Sequence, residues 1–104
     1  MSYAPILLFV YNRPEHTRRC IEGLLKNSLA SESNLFIYAD GAKDSTLQEA
    51  VNEVRNYIRS IQGFKQITLM ERSENWGLAR NIINGVTTQV NRYGKVIVLE
   101  DDLV

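Results

Sequence analysis

Two stretches of this chain, Ile6-Leu7-Leu8-Phe9-Val10-Tyr11 and Leu35-Phe36-Ile37-Tyr38-Ala39, are unbroken apolar and aromatic runs. A strand with no polar alternation must be covered on both faces, as central strands of parallel sheets are. Turn-forming residues close each run: Asn12-Arg13-Pro14 after the first, Asp40-Gly41 after the second. The first run is therefore expected at the centre of a sheet.

The intervening segments have helical spacing. Thr17, Cys20, Ile21, Leu24 and Leu25 share one face of a helix that can open on Pro14, where the missing N–H costs nothing, and that fades over residues 27–29. Residues 30–34 read as a loop. Leu47, Ala50, Val51, Val54, Ile58 and Ile61 recur every three or four residues behind a capping box, Ser45 with Gln48 or Thr46 with Glu49, and Gly63 ends that helix. Gln66-Ile67-Thr68-Leu69-Met70 is a third strand, and its polar alternation suits an edge. Ala79, Ile82, Ile83, Val86 and Val90 mark a third helix closed near Gly94, ahead of a fourth strand, Val96-Ile97-Val98-Leu99.

Strand and helix thus alternate four strands to three helices, and each crossover is long enough to bring the next strand back parallel. Right-handed crossovers give an open sheet with helices on both faces and ligands at the carboxyl ends of the strands. Four polar clusters fall at those ends: Asn12-Arg13, the segment from Asp40-Gly41 to Asp44, residues 75–81, and Glu100-Asp101-Asp102.

The 104 residues suit one domain, short for an enzyme that must hold two substrates. With 12 basic and 12 acidic residues intermixed, the chain has no electrostatic footprint for nucleic acid or an anionic membrane surface. Cys20 is the single cysteine, fits a helical core position and suits a reducing compartment. The opening Met-Ser-Tyr-Ala-Pro has no basic n-region, and the apolar run after it is too short for a leader or a membrane span. A cytoplasmic chain without direct membrane insertion is expected, peripheral attachment of a full-length protein staying open. Because the sequence stops just beyond the acidic triplet, it is expected to be a piece of a longer protein.

Adjacent carboxylates at a strand exit repel one another unless water or a cation offsets them, so Glu100-Asp101-Asp102 reads either as a divalent metal site or as a solvated strand end. Hard oxygen ligands suit Mn²⁺ or Mg²⁺, ions that take one or two protein carboxylates and the rest of their shell from phosphate and water. Arg13 can reach phosphate or remain an exposed turn residue with Asn12 as a helix cap. Asp40 can accept from a nucleobase imide or simply close a turn, while Asp44 suits helix capping. In Asn75-Trp76-Gly77-Leu78-Ala79-Arg80-Asn81, Gly77 lets backbone approach a ligand, and Arg80 and Asn81 point from a first helical turn toward the strand ends. Asn75 can alternatively cap that helix, with Trp76 packed at the core or rim. His16 reads as a solvated helix residue.

Taken in order, the four clusters resemble glycosyltransferases of the GT-A fold, especially family-2-type sugar transferases and the N-acetylglucosaminyltransferase I group, over almost the whole chain. The resemblance implies a Rossmann-like three-layer α/β/α fold with a mainly parallel sheet in the order 3-2-1-4, here truncated after the fourth strand. Residues 1–104 would be the nucleotide-sugar-binding portion, with the acceptor portion absent. Tyr11-Asn12-Arg13 corresponds to the family's nucleotide-lining turn. Asp40-Gly41-Ala42-Lys43-Asp44 stands for Asp-Gly-Ser-x-Asp, its first Asp meeting uracil. Asn75 and Gly77 stand for a shortened Asn-x-Gly pattern that leaves Arg80 as the nucleotide-contacting arginine. Glu100-Asp101-Asp102 is similar to the family's Asp-x-Asp, which makes Asp102 the metal ligand and Asp101 or Glu100 the ribose contact. The implied reaction is metal-assisted sugar transfer from a nucleotide-diphosphate donor, a UDP-sugar by the Asp40 resemblance, to a glycan, lipid-linked or protein acceptor. The family's general base lies downstream of the metal motif, so none is assigned in this chain, which is expected to be inactive alone.

Two other classes remain. A sugar nucleotidyltransferase would carry a Gly-rich basic loop after the first strand, where this chain has Asn12-Arg13-Pro14-Glu15. A non-catalytic flavodoxin-like metal or nucleotide module would place acids there.

Overall fold

The computed structural model describes residues 3–101. Strand β1 (Ile6–Val10) leads into helix α1 (Pro14–Leu25); β2 (Asn34–Ala39) into α2 (Gln48–Ile58); β3 (Gln66–Glu71) into α3 (Leu78–Tyr93); and β4 (Ile97–Glu100) closes the series. All pairings are parallel and the sheet order is β3-β2-β1-β4. Ile6 lies opposite Leu35 on one side and Ile97 on the other, which makes β1 central; β3 is an edge strand. This is the Rossmann-like arrangement expected, and its order reverses direction between β1 and β4.

Every residue of β1 is buried because side chains leave the sheet on alternate faces and both faces are covered. Ile6, Leu8 and Val10 join Leu35, Ile37 and Ala39 beneath α1 and α2, where Ile21, Val54 and Ile58 complete the cluster. Leu7 and Phe9 join Phe36 and Tyr38 on the other face, under Ile82 and Val86 of α3. Cys20 packs against the first cluster, the core role its helical position suggests. Among the described residues no helix is long and apolar enough to cross a membrane.

Element ends differ from expectation where a neighbour supplies a partner. Helix α2 does not open on a capping box: Asp44 accepts from Thr46 N–H at 2.9 Å, a 3₁₀ turn spans Ser45–Leu47, and the α-helix starts at Gln48. The helix ends at Ile58, short of Ile61, which still packs on the core from the following turn. A 3₁₀ turn, Ala30–Glu32, replaces part of the expected loop before β2. The third helix is capped at its C-terminus by Gly94 in the left-handed region, φ 84°.

Helix α3 comes unusually close to the sheet at Gly85. A Cβ there would lie 3.0 Å from Phe9 Cζ and from Tyr38 Cε2 and Cζ, buried ring atoms that would have to give by a few tenths of an ångström. Gly85→Ala is expected to lower stability by about 1–3 kcal/mol through overpacking, read as a fall in the urea midpoint at unchanged m-value.

Arg59, which follows the last residue of α2, donates from Nε and Nη2 to the two carboxylate oxygens of Glu71 at the end of β3. Those hydrogen bonds hold the Glu71 carboxyl below the usual glutamate range. A depressed folded-state pKa contributes stability above the unfolded value of about 4.3, and that contribution is lost as pH falls through the folded pKa. Because the Arg59 side chain is half exposed and solvent screens the pair, the expected effect is small. Urea titrations from neutral pH down through that window should show a shallower stability loss for Arg59→Ala than for the unaltered chain.

Candidate functional site

A cavity of about 310 Å³ opens over the carboxyl ends of β1, β2 and β4, at the switch point of the sheet. Its volume is at the small end of the range for ligand pockets. The lining draws on all four polar clusters: Tyr11, Asn12 and Arg13 after β1; Asp40 and Lys43 after β2; Asn75, Gly77, Leu78 and Asn81 around the start of α3; Glu100 and Asp101 after β4. The arrangement follows from parallel strands, because every β-to-α turn leaves at the same end of the sheet.

Asp40 organises one wall. Its side chain is 5% exposed and both oxygens are occupied. Oδ1 accepts from Gly41 N–H at 2.9 Å and Trp76 N–H at 2.8 Å; Oδ2 accepts from Gly77 N–H at 2.9 Å and the Asn75 amide Nδ2 at 3.2 Å. The Trp76 and Gly77 donors lie just ahead of α3, so the carboxylate also meets the positive end of that helix. Asn75 does not cap α3, as one sequence reading allowed. Gly77 holds that position at φ 85°, without a side-chain cap, and Asn75 Nδ2 turns back to donate to Gly41 O at 2.9 Å as well as to Asp40. Gly41 is itself required: a Cβ there would lie 2.6 Å from the backbone C and O of Glu74.

Two residues that carried no sequence signal complete the support. Arg55 of α2 donates from Nη2 to Asp40 O at 3.2 Å and also to Arg72 O, tying the ends of β2 and β3 together. Arg72 donates from Nε to Asn81 Oδ1 at 3.0 Å and from Nη2 to Asn84 Oδ1 at 2.7 Å. Asn81 also donates to Gly77 O at 3.0 Å, so although it lines the cavity its amide is committed to the scaffold.

Arg80 takes a different place from the one its helical position suggested. It is not among the cavity-lining residues; its guanidinium carbon lies 4.0 Å from the centroid of the Trp76 ring, with that of Arg72 at 3.7 Å. Trp76 is therefore a half-buried rim residue held between cations, contacts of about 0.5–1 kcal/mol each. His16 is half-buried on α1. Asn12 does not cap α1: Arg13 holds the N-cap position, without a side-chain bond, and Pro14 opens the helix.

The Tyr11 hydroxyl accepts from Lys43 N–H at 2.9 Å, which bridges the loops after β1 and β2 and fixes the phenol at the cavity wall. Arg13 and Lys43 bring the cavity its positive charge, and Glu100 and Asp101 bring negative charge at the β4 end. Asp101 N–H donates to Phe9 O at 3.2 Å, extending the β1–β4 pairing. Burial and then the Asp101 charge push the Cys20 thiol pKa up. Asp102 lies outside the described residues, and among the described residues no three His, Cys, Asp or Glu side chains gather as a metal site.

Replacing Asp40 by Asn would set an amide NH₂ against one pair of inward-pointing N–H groups. Asp40→Asn is expected to cost about 2–4 kcal/mol and to shift the fluorescence of Trp76, the single tryptophan, by releasing the loop that carries it. Urea unfolding followed by tryptophan emission measures both.

No curated protein matches the chain. The family model for glycosyl transferase family 2 matches residues 6–104, a span that takes in all four strands and every cavity-lining residue. A Rossmann-like parallel sheet with its polar clusters at the switch point agrees with that match, and the chain belongs to glycosyl transferase family 2.

Proposed function

We propose that the cavity over β1 is the donor site of a sugar transferase and binds a nucleoside-diphosphate sugar, with UDP as the nucleotide, and that residues 1–104 form the donor portion of the enzyme. The observation that carries this reading is the convergence of Tyr11, Asn12, Arg13, Asp40, Asn75, Gly77, Glu100 and Asp101 on one crevice at the switch point. Its mixed charge suits such a ligand: Arg13 and Lys43 for phosphate oxygens, and the carboxylates Glu100 and Asp101 for ribose hydroxyls. Arg80, directed to Trp76, reaches a nucleotide only by leaving that ring.

Members of the family commonly use divalent metals. The acidic run that Glu100 and Asp101 open is of the hard-oxygen type that Mn²⁺ or Mg²⁺ takes one or two of at a time, with Asp102 proposed as the metal ligand as in the N-acetylglucosaminyltransferase I type and Glu100 and Asp101 kept for the ribose. When bound, the ion would neutralise diphosphate charge as a Lewis acid. In the transfer itself an acceptor hydroxyl attacks the anomeric carbon of the donor sugar, the anomeric C–O bond breaks, and the nucleoside diphosphate leaves with the electron pair. Arg13 and Lys43 stabilise the charge that develops on those oxygens. With Asp40 committed to the scaffold and Glu100 and Asp101 read as ribose contacts, no group of this chain is assigned to take the acceptor proton, and the chain alone is proposed to bind donor without turnover. The acceptor is a glycan, lipid-linked or protein hydroxyl.

Calorimetric titration with UDP and GDP, with and without Mn²⁺, tests the reading. Expected is metal-dependent nucleotide binding that Asp102→Ala abolishes and Arg13→Ala weakens about tenfold, or ~1.4 kcal/mol. Metal-independent binding with Asp102→Ala silent would refute it.

A further inference from the structure

Strand β4 is the second edge of the sheet, and among the described residues no strand pairs with its outer side. Ile97 N–H donates to Pro5 O and Asp101 N–H to Phe9 O, so the odd-numbered residues of β4 turn their backbone groups to β1. The N–H and C=O groups of the alternate residues, Val98 and Glu100 with Val96 just ahead of the strand, therefore face outward. Such an edge is normally guarded by a proline, a bulge or a charge. Here residues 96–99 are Val-Ile-Val-Leu, and Ile97 and Val98, on opposite faces, are 47% and 38% exposed. Charge stands only at the two ends, Lys95 before the apolar run and Glu100 and Asp101 after it.

We propose that this edge pairs with β4 of a second copy of the chain, antiparallel about a two-fold axis that passes through Val98 normal to the sheet. Such an axis keeps each face of the sheet on its own side, so a residue can lie opposite only one that leaves the same face. Centred on Val98, it sets Val98 against its counterpart, Ile97 against Leu99, Val96 against Glu100 and Lys95 against Asp101. Val98 exchanges two backbone hydrogen bonds with its counterpart, and Val96 exchanges two with Glu100 of the second copy, since these residues carry the outward groups. A slip of two residues sets Lys95 opposite Leu99 in one direction and Ile97 opposite Asp101 in the other. The order of charge chooses the occupant: a strand that begins with a cation and ends with two acids is matched by its own reverse, whereas a parallel copy sets like charges together. Because Asp101 lines the cavity, the pairing also brings Lys95 of the second copy to the cavity's β4 end. The two four-stranded sheets become one.

Sedimentation equilibrium on the full chain, from micromolar to near-millimolar concentration, together with amide hydrogen exchange, tests the pairing. The mass should rise from one chain to two and no further, with the Val96, Val98 and Glu100 amides protected in the dimer and fast on dilution. Val98→Lys, its fold checked by melting, sets like charges on the axis and should stay monomeric. Lys95→Glu sets acid against acid in both symmetric pairs and should weaken the dimer about tenfold, and adding Asp101→Lys should restore it. A monomer throughout the range overturns the inference and leaves the edge to a strand of another sequence. A dimer whose Val98 N–H exchanges fast, or that survives Val98→Lys, uses another surface and overturns it too. A double variant that stays as weak as Lys95→Glu also overturns it, because the ends then do not meet. None of these readouts involves nucleotide, so the donor-site reading stands or falls separately.

Discussion

The carboxylate of Asp40 joins two segments that are distant in sequence, the end of β2 and the turn into α3, by accepting four hydrogen bonds from backbone and amide donors at residues 41, 75, 76 and 77. A buried carboxylate is costly unless its charge is met, and here it is met by N–H groups at the start of a helix, where an anion is favoured in any case. The position of Asn75, the orientation of Gly77 and the entry angle of α3 all depend on that arrangement. The cavity wall on this side is thus a consequence of one satisfied side chain.

Around it, the sheet divides the molecule into unequal halves. Helices α1 and α2 cover one face and α3 alone covers the other, where Gly85 lets the helix backbone settle directly on Phe9 and Tyr38. Close seating of α3 brings its first turn over the end of β1, and the switch point between β1 and β4 leaves the gap that the cavity occupies. Packing on that face and the geometry of the site are therefore linked through one small residue. The same helix carries Gln89, which donates to the Tyr38 hydroxyl at 3.1 Å and so provides a partner for a polar atom inside an otherwise apolar layer.

Cations in this structure have divided roles. Arg55 and Arg72 hold strand-end carbonyls and asparagine amides, and Arg80 with Arg72 flanks Trp76, so these three belong to the scaffold of the wall and rim. Burial pushes the Arg72 guanidinium pKa down, opposed by Tyr38 and Asp40, and in a group so basic the charge survives. Arg13 and Lys43 are left as the positive groups of the cavity, both exposed and both on loops that Tyr11 bridges.

Local pattern alone determined the alternation of strands and helices, the central place of Ile6–Val10, the edge character of β3 and the collection of four polar clusters at one end of the sheet. Those features follow from the period of apolar residues and from the handedness of parallel crossovers, and both are written in short stretches of sequence. Tertiary structure decided which donors each polar side chain would meet. Asp40 is satisfied by residues about 35 positions away, as the 2.8 Å bond from Trp76 N–H shows, and no local pattern encodes that distance in space. The same holds for Arg80, which faces Trp76 instead of the crevice, for Lys43, which enters the cavity lining through a loop contact with Tyr11, and for Arg55, whose helical position gave no sign of the two carbonyls it holds. A carboxylate or guanidinium takes its role from its partners, and those are assembled only when the sheet brings the loops together.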